Sequence, residues 1–319
     1  MSSIKFKRKS RWREFLGEKL IAMSAYGALL AIFLIFIFIF KESLPIFTNA
    51  SVRQEASVDK LVNKQPFYED QEPSWAWQPT SDQPKYSLMP LFIGTLKAAL
   101  IAMLFAAPLA ILAAIYTSEF ASRRAREIIK PTIELLAGIP SVVLGFFALI
   151  VLATILQNTF GFTYRLNALN AGIALGITII PVIFTIAEDA MSAVPSSLRD
   201  AATALGATPW QVSLTMVLPA ALPGIAAGVI LGFGRAIGET MIVLMASGNA
   251  AIVSGSLVDS IRTFSATIAA ELAEVVFGGA HYSVLFFIGT LLFVFTFLTN
   301  LGGDLVLFRL KERLQGKSS

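Results

Sequence analysis

Arg235 and Glu239 are the charged side chains in the otherwise apolar stretch from Ala220 to Met245. A guanidinium stays charged in proteins and presents a planar fork that suits phosphate oxygens, so an Arg here reads as an anion contact. Placing it near mid-membrane costs about 2.5–3.5 kcal/mol unless it faces partners or water. The face that carries it must therefore point inward. At about 100° per residue and relative to Gly228, Gly224 falls at about −40°, Gly232 at about +40°, Arg235 at about −20° and Glu239 at about +20°. Gly224, Gly228 and Gly232 thus make a helix-packing strip that admits a close neighbour. Arg235, Glu239 and the adjacent Thr240 are the candidate substrate-path residues. An internal i,i+4 ion pair is the plainer reading of Arg235 and Glu239, although base before acid is the weaker order on a helix.

Other chemistries are excluded by residue type. The chain has no cysteine, which removes disulfides, thiolate catalysis and Cys-ligated metals, and His281 is its single histidine, which removes HExxH zinc sites. No catalytic residue and no metal site is assigned. Gly316-Lys317-Ser318 looks like the end of a phosphate-binding loop, but Lys311 stands where the loop needs its first glycine. Gly232-x-Gly234-x3-Gly238 is one residue off the dinucleotide spacing and lies within an apolar span. No motif here serves ATP hydrolysis, so the chain is expected to hold no cofactor of its own and not to be an enzyme.

The elements that must position these residues are membrane helices. Hydrophobic residues make up 55% of the 319 and charged residues 14%, against roughly 25% charged in a soluble domain. Seven basic residues, Lys5, Lys7, Arg8, Lys9, Arg11, Arg13 and Lys19, precede the uncharged run Leu20 to Phe40. They read as a membrane flank rather than a nucleic-acid site. At 1.5 Å per residue the run spans a hydrocarbon core of about 30 Å, and it reads as a retained signal anchor. Five more apolar segments follow: Leu91 to Tyr116, Ile133 to Leu156, Leu169 to Ala187, Ala220 to Met245 and Tyr282 to Leu301. With the N-terminus inside, 16 basic residues fall on the cytoplasmic side and seven outside, so both termini are expected in the cytoplasm.

The expected organisation is a basic cytoplasmic N-terminus (1–19), a first transmembrane helix (20–40), an external loop (41–90), a core with five transmembrane helices (91–305) and a cytoplasmic tail (306–319). The segment from Lys41 to Met89 holds five prolines and reads as irregular, with Trp75 and Trp77 as an interfacial belt. Within 254–280, Thr263, Thr267, Glu271 and Glu274 share one helical face and Phe264, Ile268, Leu272 and Val275 the other. A short amphipathic helix on the outer surface is expected there. Lys97 reads as snorkelling from the outer end of its span. Glu134 and Glu188 read as solvated at cytoplasmic ends.

The cytoplasmic loop 190–218 reads as two short helices in an L. Ser196 or Ser197 can cap the first, Asp200 then falls in its first turn, and Gly206 with Pro209 separates it from the second. Asp200-Ala201-Ala202-x3-Gly206-x9-Met216-x-Leu218-Pro219 resembles the EAA loop of bacterial ABC-importer permeases, with Asp for Glu and Met for Ile. In that family the loop is the coupling helix that docks on the ATPase. The resemblance thus makes Asp200, Ala201, Ala202, Gly206, Leu218 and Pro219 ATPase-coupling residues.

Gly234-Arg235-Ala236-x-Gly238-Glu239-Thr240-Met241 resembles the fifth-span motif of the PstC-type permeases of the bacterial phosphate ABC importer. Trp77-x-Pro79, Pro90-x3-Gly94-Thr95, Leu135 to Ser141 and the Thr267 to Glu274 helix are similar too, so the likeness covers about Trp77 to Leu301. The resemblance implies an all-α membrane protein with six transmembrane helices and the type I (MetI-like) importer permease fold, in the bacterial plasma (inner) membrane. It implies inorganic phosphate as substrate, ATP and Mg in a partner ATPase, and as partners a PstA-like companion permease, PstB-like ATPase subunits and a PstS-like external phosphate-binding protein, with membrane lipid around them. On the residues alone, a permease for another oxyanion such as molybdate, tungstate or sulfate, and a passive anion channel, stay open.

Overall fold

The computed structural model describes residues 11–66 and 72–314. The Gly316-Lys317-Ser318 triplet and the basic residues before Arg11 lie outside the described residues. Among the described residues six helical runs are long and apolar enough to cross a membrane: Phe15–Thr48, Met89–Phe120, Ser141–Phe160, Ala168–Ser192, Pro209–Gly238 and Ala280–Arg309. The chain is a multi-pass membrane protein.

Its helices are α1 (Arg11–Ser43), three short helices α2 (Pro45–Thr48), α3 (Ala50–Glu55) and α4 (Val58–Val62), then α5 (Met89–Ile115), α6 (Arg123–Ala137), α7 (Ser141–Phe147) and α8 (Ala153–Phe160). There follow α9 (Ala168–Ser192), α10 (Ser196–Ala204), α11 (Pro209–Val212), α12 (Leu218–Gly238), α13 (Met241–Ala246), α14 (Phe264–Glu271) and α15 (Ala280–Leu314). Strands β1 (Trp77–Gln78) and β2 (Lys85–Tyr86) pair antiparallel, with Trp77 opposite Tyr86.

Packing at the centre is made by small residues. On α5, Ala98, Ala102, Ala106, Ala110 and Ala114 recur every fourth position and are buried. They form the face against α9, whose Gly176 leaves room for Ala102 and Phe105: a Cβ there would stand 2.7 Å from Phe105 Cδ1. Where lipid is as apolar as leucine, such close backbone approach is what lets dispersion hold two helices together. α1, in contrast, lies outside this core and touches α15 through Phe36 and Phe293, ring centroids 4.7 Å apart.

Several boundaries differ from the sequence reading. α1 starts nine residues before Leu20 and α15 continues to Leu314, because a helix does not stop where charge begins. The third span is Ser141–Phe160 rather than Ile133 to Leu156. Gly138 and Pro140 end α6, which has no buried residue and lies as a separate amphipathic helix. The 41–90 loop is not irregular: Asn49 and Ser57 cap α3 and α4, and the hairpin closes over a second apolar cluster of Ile46, Leu61, Tyr86 and Leu91.

Candidate functional site

α12 carries the glycine strip, and the strip faces α9 of the same chain. A Cβ on Gly232 would stand 2.9 Å from Ile179 Cγ2 and Ile183 Cγ1, and one on Gly228 would stand 3.2 Å from Ile186 Cβ. At Gly224 it would overlap Ala190 Cβ. Because Gly232 meets Ile179 and Ile183 near the middle of α9, Arg235, one turn on, lies near the level of mid-α9.

The helix does not continue to Met245. It ends at Gly238, and Glu239 is extended with ψ 133°, after which α13 starts at Met241. The span is therefore broken at Glu239-Thr240, and Glu239 is not the i,i+4 helical neighbour of Arg235. No ion pair joins the two among the described residues, and Arg235 is exposed there without a hydrogen-bond partner. Glu239 and Thr240 are half-buried, and Thr240 Oγ1 bonds back to the Gly238 carbonyl at 3.3 Å. Backbone groups freed by a break inside a bilayer need partners from neighbouring elements. Ser265 supplies one, donating to the Glu239 carbonyl at 2.7 Å, and Asn170 Nδ2 donates to the Ala246 carbonyl at 2.9 Å.

Ser265 belongs to α14, and α14 is not a surface helix. Phe264, Ser265, Ala266 and Thr267 are buried, so its first turn is enclosed on all sides, and Thr263 and Thr267 of the expected polar face lie inside the bundle while Glu274 is exposed. Thr95 of α5 accepts from the Phe264 amide at 3.1 Å, and the Arg262 carbonyl lies where a Cβ on Gly94 would be. Those two contacts are the physical content of the Gly94-Thr95 pair. Helical periodicity alone could not show which face was buried.

The last residue of α14, Glu271, centres a charged cluster. Glu271 accepts from Trp77 Nε1 at 3.1 Å and from Arg262 Nη2 at 2.5 Å, and its other oxygen meets His281 Nε2 at 2.8 Å. Trp77 is thus a buried clasp and not an interfacial belt. Burial pushes the Glu271 carboxyl up, but the His281 hydrogen bond, the Arg262 charge and the Trp77 hydrogen bond outweigh it and hold the carboxyl below the usual range. Lys97 does not snorkel into solvent: its amine donates to the carbonyls of Ser254 and Ser256 at 2.5 and 2.9 Å.

At the opposite end of the bundle, α10 and α11 form the expected pair. Gly206 has φ +86°, a left-handed turn that a side chain would strain, and Thr208 closes a capping box with Gln211. Ser196 is already helical and leaves Pro195 as the cap, so Asp200 lies in the second turn, not the first. Asp200, Ala201 and Gly206 are exposed, whereas Ala202 is buried; Leu218 and Pro219 lie inside the continuous Pro209–Gly238 run. Leu205, between α10 and α11, is 87% exposed, and Trp210, at the start of the Pro209–Gly238 run, is 59% exposed; together they form an apolar crest at this end of the bundle.

The sequence reading missed what anchors this loop. Arg199 donates to both oxygens of Glu119 at 2.9 and 3.2 Å and to the carbonyls of Met191 and Val194. Glu188, expected in solvent, is 2% exposed and meets Lys130 at 2.6 Å and Arg126 at 3.2 Å. The hydrogen bonds that Lys130 donates to Asp189 and Glu188 hold its amine above its ordinary value. Local spacing carries no signal for pairs 58 or 80 residues apart.

Six spanning helices, one of them broken beside an unpaired Arg, together with an exposed loop of two short helices, define a polytopic helical transport permease. The fold is shared with a bacterial alginate ABC transporter solved with its alginate-bound periplasmic protein, at TM-score 0.60 and 17% identity over 95% of this chain and 98% of that one. The methionine ABC transporter MetNI, inward facing, matches at TM-score 0.54 and 18% identity over 70% of this chain and 97% of that one.

The chain belongs to the family of binding-protein-dependent transport system inner membrane components, whose model matches residues 106–312. It is 38% identical to the phosphate transport system permease protein PstC of Mesorhizobium japonicum, over 75% of this chain and 78% of that protein. It is also 38% identical to the probable ABC transporter permease YqgH of Bacillus subtilis, over 70% and 72%.

Proposed function

We propose that this chain is a permease subunit of an ATP-driven importer that carries inorganic phosphate across the bacterial plasma membrane. It works with a companion permease, ATPase subunits that bind ATP and Mg, and an external phosphate-binding protein. The observation that carries the reading is the Arg235 guanidinium, which has no partner among the described residues, lies near the level of mid-α9 and stands one turn before a break in its helix. A cation left there without a partner among the described residues is costly in lipid, and an inward pathway shared with a companion subunit and a passing anion relieves that cost. Discontinuous helices are where transporters place such sites. Similarity to phosphate permeases supports phosphate over molybdate, tungstate or sulfate.

The exposed Leu205 and Trp210 crest, flanked by Asp200 and Gly206, is the surface offered to the ATPase. Closure of the ATPases moves this loop, and the helices rock so that Arg235 faces the outer and then the inner side. Glu239, released from the helix by the break, carries the neighbouring negative charge and moves away from Arg235 as phosphate takes its place. In this orientation both termini and the 190–218 loop are cytoplasmic. Impermeant maleimide labelling in intact cells of a single cysteine at position 60, and not at position 203, is the expected result; the reverse pattern inverts the topology.

The function is tested by uptake of radiolabelled phosphate into proteoliposomes that hold the whole complex. Uptake is expected only with ATP and binding protein, with phosphate outcompeting sulfate and molybdate. ATP-independent uptake supports a channel instead, and a different preferred anion replaces the substrate.

A further inference from the structure

α5 is fastened at both of its ends to the two parts of the machine. At one end Glu119, in the π-helical turn Tyr116–Phe120 that continues α5, holds Arg199 of α10 through two hydrogen bonds, and its carboxylate side chain is 8% exposed. Phe120 also packs on Trp210, ring centroids 5.9 Å apart. At the other end Thr95, 4% exposed, accepts from the Phe264 amide, and the next residue, Ser265, holds the carbonyl of Glu239 at the helix break. Between them, some 36 Å along the helix axis at 1.5 Å per residue, the buried alanine row packs α5 against α9.

We propose that α5 is the rod that transmits movement of the coupling loop to the Glu239 break, with Glu119 and Thr95 as its positioning residues. The proposal rests on the permease reading above. A bidentate guanidinium–carboxylate pair fixes orientation as well as distance, so displacement of α10 at Arg199 displaces the end of α5. Close-packed helices move as bodies rather than compress, and the far end of α5 then carries Phe264 and Ser265 with it. Glu119 isolates this link: removing its carboxylate leaves the bonds from Arg199 to the carbonyls of Met191 and Val194 in place.

The test compares Glu119→Ala, Thr95→Val and the double variant in the reconstituted full complex, reading phosphate taken up per ATP hydrolysed. Each single variant is expected to assemble, to keep basal ATP hydrolysis and to lose most uptake per ATP. Because the two residues act in series, the double variant is expected to lose no more than the worse single one. Thr95→Ser, which keeps the hydroxyl, is expected to restore coupling. Leu104→Ala, on the exposed side of α5, is expected to leave coupling unchanged. Glu119→Gln preserves side-chain shape and is expected to assemble even where Glu119→Ala does not, and still to lose coupling. Full coupling in Glu119→Gln or Thr95→Val, or losses that multiply in the double variant, overturns the proposal. Wild-type complex that takes up no phosphate with ATP refutes the permease reading instead.

Discussion

The Ser265 hydroxyl donates to the backbone carbonyl of Glu239 at 2.7 Å, so a buried helix from the segment after the fifth span closes the break in that span. The hydroxyl is 5% exposed as part of its residue and bonds a carbonyl that the helix no longer satisfies.

Ser265→Ala strands that carbonyl, at a cost of about 1–3 kcal/mol for an unsatisfied buried acceptor. The purified complex is expected to melt at lower temperature, and Ser265→Thr, which keeps the hydroxyl, to recover part of the loss. An unchanged melting curve in Ser265→Ala removes the clasp from the account.

Gly224 and Ala190 share space for a single Cβ. Gly224→Ala is expected to push α12 from α9 and destabilise by about 1–3 kcal/mol, the usual cost of overpacking. Ala190→Gly added to it returns the methyl to the vacated place and is expected to restore most of that stability. Thermal melts of the two single variants and the double variant measure the coupling; simple addition of the two effects contradicts the packing.

The sequence made the number of spans, the glycine strip and the left-handed turn at Gly206 legible, because each rests on composition or on helical spacing. The break at Glu239 escaped it, since an apolar stretch that continues through Met245 looks the same to periodicity whether or not the backbone bends. The burial of Thr263 and Thr267 escaped for a related reason: polar hydroxyls that cap and back-bond inside a bundle resemble a solvated face. The alanine row on α5 is readable at its four-residue spacing. Arg199–Glu119 and Glu188–Lys130 were not readable at all, because they depend on which helix ends meet.

The Glu271 cluster gives the protein an acid-sensitive contact. Burial raises the carboxyl and its bonds to His281, Arg262 and Trp77 lower it further, so its value in the folded protein lies below that of the unfolded chain. Its stabilisation is complete above the ordinary carboxylate range, about pH 4.3, and is lost as pH falls through the folded value. Tyr86 lies beside His281 and keeps its proton, raised by burial and by the charges of Glu55 and Glu271. Glu271→Gln is expected to lower stability at neutral pH by about 1.5–3 kcal/mol, the range for hydrogen bonds to a charged group, and to flatten the acid limb of the melting profile. An acid limb identical to wild type places the sensitivity elsewhere.

The central claim is that Arg235 meets the anion in transit. ATP-driven phosphate uptake by the reconstituted complex with Arg235→Gln, at matched assembly and with basal ATP hydrolysis recorded, tests it directly. Loss of charge-assisted hydrogen bonds worth about 1.5–3 kcal/mol predicts a fall of roughly tenfold or more, with assembly intact. Near-normal uptake by Arg235→Gln contradicts the account.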